Sequence, residues 1–155
     1  MAFEGSIKVI VFKVADQFFG VEVGQVMSIE RVTEITHIPQ TVSFVKGIIN
    51  LRGVVTPVID LRERLGLPTQ TYGSESRLIV VRNNGQDIAL VVDAANDVMD
   101  IENAIIEPPP SVVGGVQAIY LHGVAKLKDR LLVLLNLNRI LNIQELEQLQ
   151  EITGV

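Results

Sequence analysis

Few side chains of this sequence have the type and spacing that catalysis or metal binding requires. The histidines are His37 and His122, which match no metal-ligand spacing, and the chain has no cysteine. Asp60 and Asp93 each follow an apolar stretch, as a pair of carboxylates for acid–base catalysis would. Neither lies in an Asp-Thr/Ser-Gly context, so we interpret Asp60 as a turn cap and Asp93 as a strand end. We therefore predict no catalytic residues, no metal, no cofactor and no enzyme activity.

Arg52 is the polar residue whose surroundings most suggest a role. It lies in the segment Asn50-Leu51-Arg52-Gly53, between two apolar stretches. Its planar fork of donors could order a loop or bind a carboxylate of a partner protein. A hairpin turn with a solvated arginine explains the same residues equally well. The chain contains no P-loop, G-x-S-x-G or G-x-G-x-x-G motif, and Gly114-Gly115 is typical of a turn.

The composition favours a β-rich fold. Hydrophobic residues make up 48% of the 155 residues and aromatic residues only 5%, so Val, Ile and Leu must form the core. β-Branched residues of this kind favour strands. The net charge of −5 and the lack of a basic stripe argue against nucleic acid and anionic lipid as partners. No apolar run approaches the roughly 20 residues that span a bilayer, and the missing cysteines fit a reducing cytosol.

The apolar pattern predicts short strands joined by turns, with little helix. Asp60 can cap a short helix that Gly66 ends, and the polar stretch 68–76 is the best candidate for a linker. Leu and Ile recur every three residues near the end of the chain, which predicts a C-terminal helix over 142–155. The predicted strands are 7–14, 18–23, 26–34, 45–51, 54–59, 78–82, 88–92, 119–127 and 131–135.

Four landmarks occur twice in the same order, which indicates an internal repeat. They are the hairpins at 12–23 and 79–92, the segments 26–30 and 98–102, Pro39 and Pro108, and the gap-free match of 47–65 with 123–141. We expect one domain over 1–155, with subdomain 1 at about 12–76, subdomain 2 at about 77–141 and a helical tail at 142–155. The first strand could pair with either subdomain. Similar strands that recur by chance in a β protein are the alternative explanation.

The repeat has consequences for the architecture. A sheet of about five short strands avoids exposed edges when it curls into a small barrel. Two such barrels are marginally stable alone but can share a core. Packing them together predicts a pseudo-symmetric seam where a partner or a ligand could bind. In that arrangement Val26 and Val98 should hold equivalent positions and line one groove.

A long motif in the first half of the chain resembles a known family. It reads F-V-K-G-I-I-N-L-R-G-V-V-T-P-V-I-D-L-R over residues 44–62. Together with 18–23, 26–32, 90–93, Val98-Met99 and 131–141, this motif makes the chain similar to the CheW family of bacterial chemotaxis coupling proteins over essentially its whole length. The resemblance implies a mainly β fold of two small SH3-like five-stranded β-barrel subdomains that share a core, with short helices and a C-terminal helix.

The resemblance also implies a function, partners and a location. It suggests a non-enzymatic chemotaxis adaptor that couples methyl-accepting chemoreceptors to the histidine kinase CheA. The expected contacts are the cytoplasmic tip of the receptor, which is a helical hairpin, and the regulatory domain of CheA, which has the same fold. The expected location is the cytoplasm, with recruitment to membrane-associated receptor arrays. A CheV-like adaptor, a detached kinase regulatory domain and a small-molecule-binding barrel are the alternatives; the aliphatic seam disfavours the last.

The resemblance further implies which residues meet the partners. The receptor-binding residues are Val26, Met27, Ser28, Ile29, Val98 and Met99. The residues that bind the kinase or belong to a shared interface are Gly47, Arg52, Ile101 and Val112. The family often has Glu where this chain has Ser28, so a charge contact at that position is in doubt here. Gly47 could matter only because a tight backbone turn needs glycine.

Overall fold

Thirteen strands dominate the computed structural model, which describes residues 5–39, 43–83, 85–113, 115–141, 145, 147 and 151. The helices are α1 (Leu61–Arg64), α2 (Leu137–Ile140) and 3-10 turns at Val23–Gln25, Asn103–Ile105 and Ala118–Tyr120. The strands are β1 (Ser6–Val14), β2 (Gln17–Glu22), β3 (Val26–Arg31), β4 (Val45–Leu51), β5 (Val54–Asp60), β6 (Arg77–Asn83), β7 (Gln86–Val92), β8 (Ala94–Glu102), β9 (Ile106–Glu107), β10 (Val112–Val113), β11 (Val116–Gln117), β12 (Leu121–Lys126) and β13 (Leu131–Leu135). The predicted mainly β class is confirmed.

The strands form two large sheets and one small ribbon. The first sheet has the order β8-β1-β2-β13-β12-β9, the second has the order β3-β6-β7-β5-β4, and β10 pairs only with β11. In the first sheet β8 and β9 lie at opposite edges although only Asn103–Ile105 separates them, so the sheet must curl closed. In the second sheet Thr36, which follows β3, pairs with Ile48 on the opposite edge strand. Each sheet is therefore a small barrel.

The strand order repeats from one sheet to the other. If β8, β1, β2, β13 and β12 are matched with β3, β6, β7, β5 and β4, every neighbour and every parallel or antiparallel sense agrees. The register also agrees: Gly47 pairs with Val58 in one sheet, and Gly123 pairs with Leu134 in the other. Backbone pairing thus supports the sequence repeat of 47–65 with 123–141.

The residues of β3 and β8 that hold equivalent positions in the two barrels differ from our prediction. Val98 pairs with Ile10, and the position equivalent to Ile10 in the other sheet is Ile79, which pairs with Ile29. Val26 and Val98 are therefore not symmetry mates; Ile29 and Val98 are. The similar letters of 26–30 and 98–102 were misleading because hydrogen-bond register, and not local similarity, decides which residues are equivalent.

Three hydrophobic clusters result from alternation along these strands. Val9 and Val11 point into the core of the first barrel, whereas Ile10 and Phe12 point into a larger core shared by both barrels. In the second barrel Leu78 and Val80 face its own core, and Ile79 and Val81 face the shared core. The expected shared core is present, and it contains most of the large buried side chains.

The two sheets do not follow the predicted halves of the chain. The hairpin β1–β2, from the start of the sequence, pairs with β13, and the hairpin β6–β7 pairs with β5. The subdomain limits 12–76 and 77–141 thus describe the repeat in sequence, while each sheet takes strands from both halves. Most of the predicted tail helix, 142–155, lies outside the described residues, although Glu145, Glu147 and Glu151 are helical. Within the described residues no helix is long and apolar enough to cross a membrane.

Candidate functional site

The edge strand β3 exposes large apolar side chains. Val26 pairs with Val81 and Ser28 with Val80, so Met27 is the extra residue of a β-bulge. Bulges re-aim side chains at sheet edges, and Met27 is 48% exposed. Ile29 is 43% exposed, whereas Val26 is partly buried against the shared core. Strand β3 therefore presents an aliphatic edge to which another protein can bind.

Arg52 ties the turn between β4 and β5 to this edge strand. The turn has Arg52 at φ +52°, and the side-chain carbonyl of Asn50 accepts a hydrogen bond from the Gly53 amide at 2.8 Å. The Arg52 guanidinium lies 2.6 Å from the Glu30 carboxylate on β3 and is itself 69% exposed. Arg52 thus orders a loop and still presents donors to solvent. Both sequence interpretations, an ordering arginine and a solvated arginine in a hairpin turn, are therefore partly correct.

Glu30 supplies the negative charge beside Arg52, and the neighbouring Ser28 is uncharged. The two residues are separated by one position on β3, so their side chains leave the same face of the strand. The Ser28 hydroxyl and the Arg52 guanidinium both lower the pKa of the Glu30 carboxyl, because they stabilise its charged form. The carboxylate beside Arg52 is therefore supplied by Glu30, and position 28 carries no charge.

Gly47 has a structural role. Its φ is +144°, and a Cβ atom there would lie 2.0 Å from the Thr36 carbonyl oxygen. Its symmetry mate Gly123 packs in the same way, since a Cβ atom at that position would lie 2.9 Å from the Glu107 carbonyl oxygen. Both glycines allow the strand that closes each barrel to approach. Gly47 is buried, so its effect on a partner would be indirect.

The remaining predicted site residues differ in accessibility. Val98 is 53% exposed on β8, and Val112 is 54% exposed on the β10–β11 ribbon. Met99 is partly buried against the core of the first barrel. Ile101 is 1% exposed and belongs to that core, so its side chain does not touch a partner protein. The expectation for Ile101 needs correction: alternation along β8 turns it inward.

The structure therefore separates the predicted residues into two groups. Val26, Met27, Ser28, Ile29, Gly47 and Arg52 belong to the second barrel, and Val98, Met99, Ile101 and Val112 lie outside it. Sequence reasoning missed further exposed aliphatic residues, namely Val54, Val55, Ile105, Ile119 and Leu131. Val55 and Leu131 hold equivalent positions in the repeat. The sequence match of 47–65 with 123–141 could therefore have pointed to these two residues.

The candidate acid–base pair has a structural explanation. Asp60 caps α1 by accepting a hydrogen bond from the Arg62 amide at 3.0 Å and also accepts one from the Tyr72 hydroxyl at 3.0 Å. Asp93 forms a two-point ion pair with the Arg62 guanidinium, at 3.0 and 2.6 Å. No group of three His, Cys, Asp or Glu side chains among the described residues is arranged to hold a metal ion. Both carboxylates thus hold the corner between β5 and α1.

Two pseudo-symmetric β-barrels with a shared core and exposed aliphatic side chains fit a protein-binding scaffold, and comparisons with known proteins identify its class. Residues 8–145 match the family model described as CheW-like domain. The chain is 38% identical over 135 residues to the chemotaxis protein CheW of Bacillus subtilis, covering 87% of this chain and 86% of that protein. It is 31% identical over 138 residues to the chemotaxis protein CheW of Klebsiella aerogenes, covering 88% and 82%.

A solved structure is similar throughout. The crystal structure of the scaffolding protein TtCheW from Thermoanaerobacter tengcongensis superposes with a TM-score of 0.83 at 35% identity, covering 91% of each chain. The chain belongs to the CheW-like family. It is accordingly a scaffold or adaptor and not an enzyme.

Proposed function

We propose that this chain couples methyl-accepting chemoreceptors to the histidine kinase CheA at the cytoplasmic face of the membrane. The observation that carries the proposal is that exposed aliphatic side chains lie at two separate places in the fold. One is the edge strand β3 with Met27 and Ile29, and the other is the β10–β11 ribbon with Val112. An adaptor needs two surfaces that different partners can occupy at the same time.

The receptor is assigned to β3. A receptor tip built as a helical hairpin offers an apolar helix face, which can lie along Met27 and Ile29. Val26, at the start of β3, anchors the strand because it packs against the shared core. Val98 and Met99 are included as the corresponding segment of the other barrel, with Val98 as the exposed member. Ser28 lies between Met27 and Ile29 in sequence, and its side chain leaves the opposite face of β3 from Ile29.

The kinase is assigned to Arg52 and Val112. Arg52 presents guanidinium donors beside Glu30, whose side chain leaves the opposite face of β3 from Ile29, and a carboxylate of the kinase regulatory domain can bind there. Val112 supplies a second, apolar contact on the ribbon. Gly47 contributes by keeping the β4 strand in place, and Ile101 by filling the core beneath β8. Regulatory domains of the same fold could then alternate with this chain through contacts of two different kinds.

In this mechanism the chain performs no chemistry. It raises the local concentration of kinase at receptor tips by holding both partners together. It changes kinase activity when one arrangement of receptor and kinase is bound more tightly than another.

Amide-shift mapping tests the proposal most directly. A receptor-tip fragment should shift amides of β3, and the CheA regulatory domain should shift amides of the β4–β5 turn and the ribbon. Ile29→Asp should weaken receptor binding by at least about tenfold, because a charge in an apolar contact is costly to desolvate. Leu131→Asp is the matched control, since Leu131 is 42% exposed and lies outside both assigned surfaces.

Two results would count against the proposal. Unchanged receptor affinity in Ile29→Asp would remove the receptor from β3. Binding of the kinase domain and the receptor fragment to one overlapping set of amides would exclude simultaneous coupling.

A further inference from the structure

Met27 has an unusual position for an oxidisable side chain. It is the bulged residue of β3, and nearly half of its surface is open to solvent. Met99, the other methionine in the described part of the chain, is partly buried against Ile101 and its neighbours in the core of the first barrel. Peroxide therefore reaches the Met27 thioether more easily than the Met99 thioether.

We propose that Met27 is a reversible oxidation site that controls docking at β3. Hydrogen peroxide transfers one oxygen atom to the Met27 sulfur, so that the thioether is oxidised to the sulfoxide and the peroxide is reduced to water. The reaction breaks the O–O bond, forms an S–O bond and leaves the protein backbone unchanged. Methionine sulfoxide reductases reverse this modification.

The consequence depends on the neighbours of Met27. Two residues along β3, Ile29 is also exposed and aliphatic, and Val26, which precedes Met27, is aliphatic and partly buried. A sulfoxide converts a flexible apolar side chain into a polar one with a strong acceptor. A partner helix that buried this oxygen without a hydrogen bond would lose affinity by roughly tenfold or more.

The folded chain should tolerate the modification. Met27 is the extra residue of the bulge, so its side chain is not needed for the pairing of Val26 and Ser28 with β6. Its exposure means that the sulfoxide oxygen stays hydrated in the free protein. Oxidation therefore changes the surface and leaves the core intact, which distinguishes it from oxidation of Met99.

The inference rests on the proposed receptor surface, and one experiment distinguishes failure of the oxidation site from failure of the receptor assignment. The full chain is treated with hydrogen peroxide, and peptide mass spectrometry follows the sulfoxide at Met27 and Met99 over time. Binding of a receptor-tip fragment is measured before oxidation, after oxidation and after repair by methionine sulfoxide reductases. Met27→Leu keeps the apolar volume without an oxidisable sulfur, and Met27→Gln imitates the polar product.

We expect Met27 to oxidise first, affinity to fall by roughly tenfold, repair to restore it, and Met27→Leu to bind equally well before and after peroxide. Equal binding by the reduced and the fully oxidised chain would overturn the inference, and binding by Ile29→Asp then decides separately whether the receptor surface on β3 stands. Faster oxidation of Met99 than of Met27 would overturn it as well. No binding by the reduced chain would instead overturn the assignment of the receptor to β3, and the inference with it.

Discussion

Arg64 and Ile140 hold the same position in the two repeats, and the Nε atom of Arg64 donates a hydrogen bond to the Ile140 carbonyl. The Arg64 guanidinium also lies between two further symmetry mates, 4.7 Å from the centre of the Phe44 ring and 5.2 Å from that of Tyr120. Its Nη2 atom is 3.1 Å from the Glu145 carboxylate. One arginine thus occupies the seam between the barrels and breaks their symmetry there.

Replacement of this arginine should destabilise the whole chain. We expect Arg64→Met to lower the free energy of unfolding by about 3 kcal/mol, because it removes two cation–π contacts and the ion pair to a Glu145 side chain that is only 15% exposed. Arg82→Met is the matched control: its pair with Asp87 is exposed and should contribute far less to stability. Urea unfolding measures both values, and equal losses in the two variants would contradict a special role for the seam.

Asp93 should make stability depend on pH in the acid range. It stands between β7 and β8, and besides Arg62 it accepts a hydrogen bond from the Ala15 amide at 2.9 Å. Burial acts to raise the pKa of the Asp93 carboxyl, but the hydrogen bonds from Arg62 and Ala15 outweigh burial, so the pKa is lowered. The resulting stabilisation is present above the unfolded pKa of about 3.9 and is lost as the pH falls through the lower folded value.

Asp93→Asn tests this linkage. The variant should lose roughly 1–2 kcal/mol at pH 7 and show a flatter decline of unfolding free energy between about pH 5 and pH 3. Asp16→Asn is the control, because the Asp16 side chain is 96% exposed. Parallel curves for the wild type and Asp93→Asn would show that the ion pair does not contribute to acid sensitivity.

Asp60 should tolerate replacement by the residue that its symmetry mate carries. Asn136 caps α2 as Asp60 caps α1, with its side-chain oxygen 3.1 Å from the Asn138 amide. Burial raises the pKa of the Asp60 carboxyl, although hydrogen bonds from Tyr72 and the Arg62 amide act in the opposite direction. The folded state therefore takes up a proton more readily than the unfolded chain, and stability from this group is lost as the pH rises through the folded pKa.

Asp60→Asn removes that loss and keeps the cap. We expect it to be as stable as the wild type at pH 7, or up to about 1 kcal/mol more stable, with the difference shrinking toward acid pH. Asp60→Ala should instead lose about 1 kcal/mol or more, because the cap disappears. Thermal unfolding at several pH values measures both, and a large loss in Asp60→Asn would mean that the charge itself is needed.

Gly47 should be among the least replaceable residues. Gly47→Ala places a methyl group against the Thr36 carbonyl and should cost roughly 3 kcal/mol or more, since the backbone must move. Gly24→Ala is the matched control, because nothing lies within 4 Å of a Cβ there and its φ is not positive. Similar stability of the two variants in urea unfolding would contradict the structural role assigned to Gly47.

Much of this fold could be predicted from the sequence because its signals are local. The match of 47–65 with 123–141 predicted corresponding strands, and Asp60 was correctly predicted to cap a short helix. The exchange of hairpins between sheets could not be predicted, since β2 and β13 pair although more than a hundred residues separate them. Only packing decides such a pairing.

The candidate site was predictable to a smaller extent. Arg52 was identified from its turn, but the Glu30 partner depends on closure of the barrel, which brings opposite sheet edges together. Ile101 was misassigned because the bulge and the register of β8 determine which residues face inward. The arginine in the seam has no local sequence signal, because its partners come from three other segments, at Phe44, at Tyr120 and at 140–145.

The shared core also fixes the position of one barrel relative to the other. Most large buried side chains lie between the barrels, so the barrels cannot turn or separate without exposing them to water. The angle between β3 and the β10–β11 ribbon is consequently set by packing and not by a flexible linker. The two barrels therefore form one rigid unit, and two proteins bound to different barrels would be held at a spacing that the shared core determines.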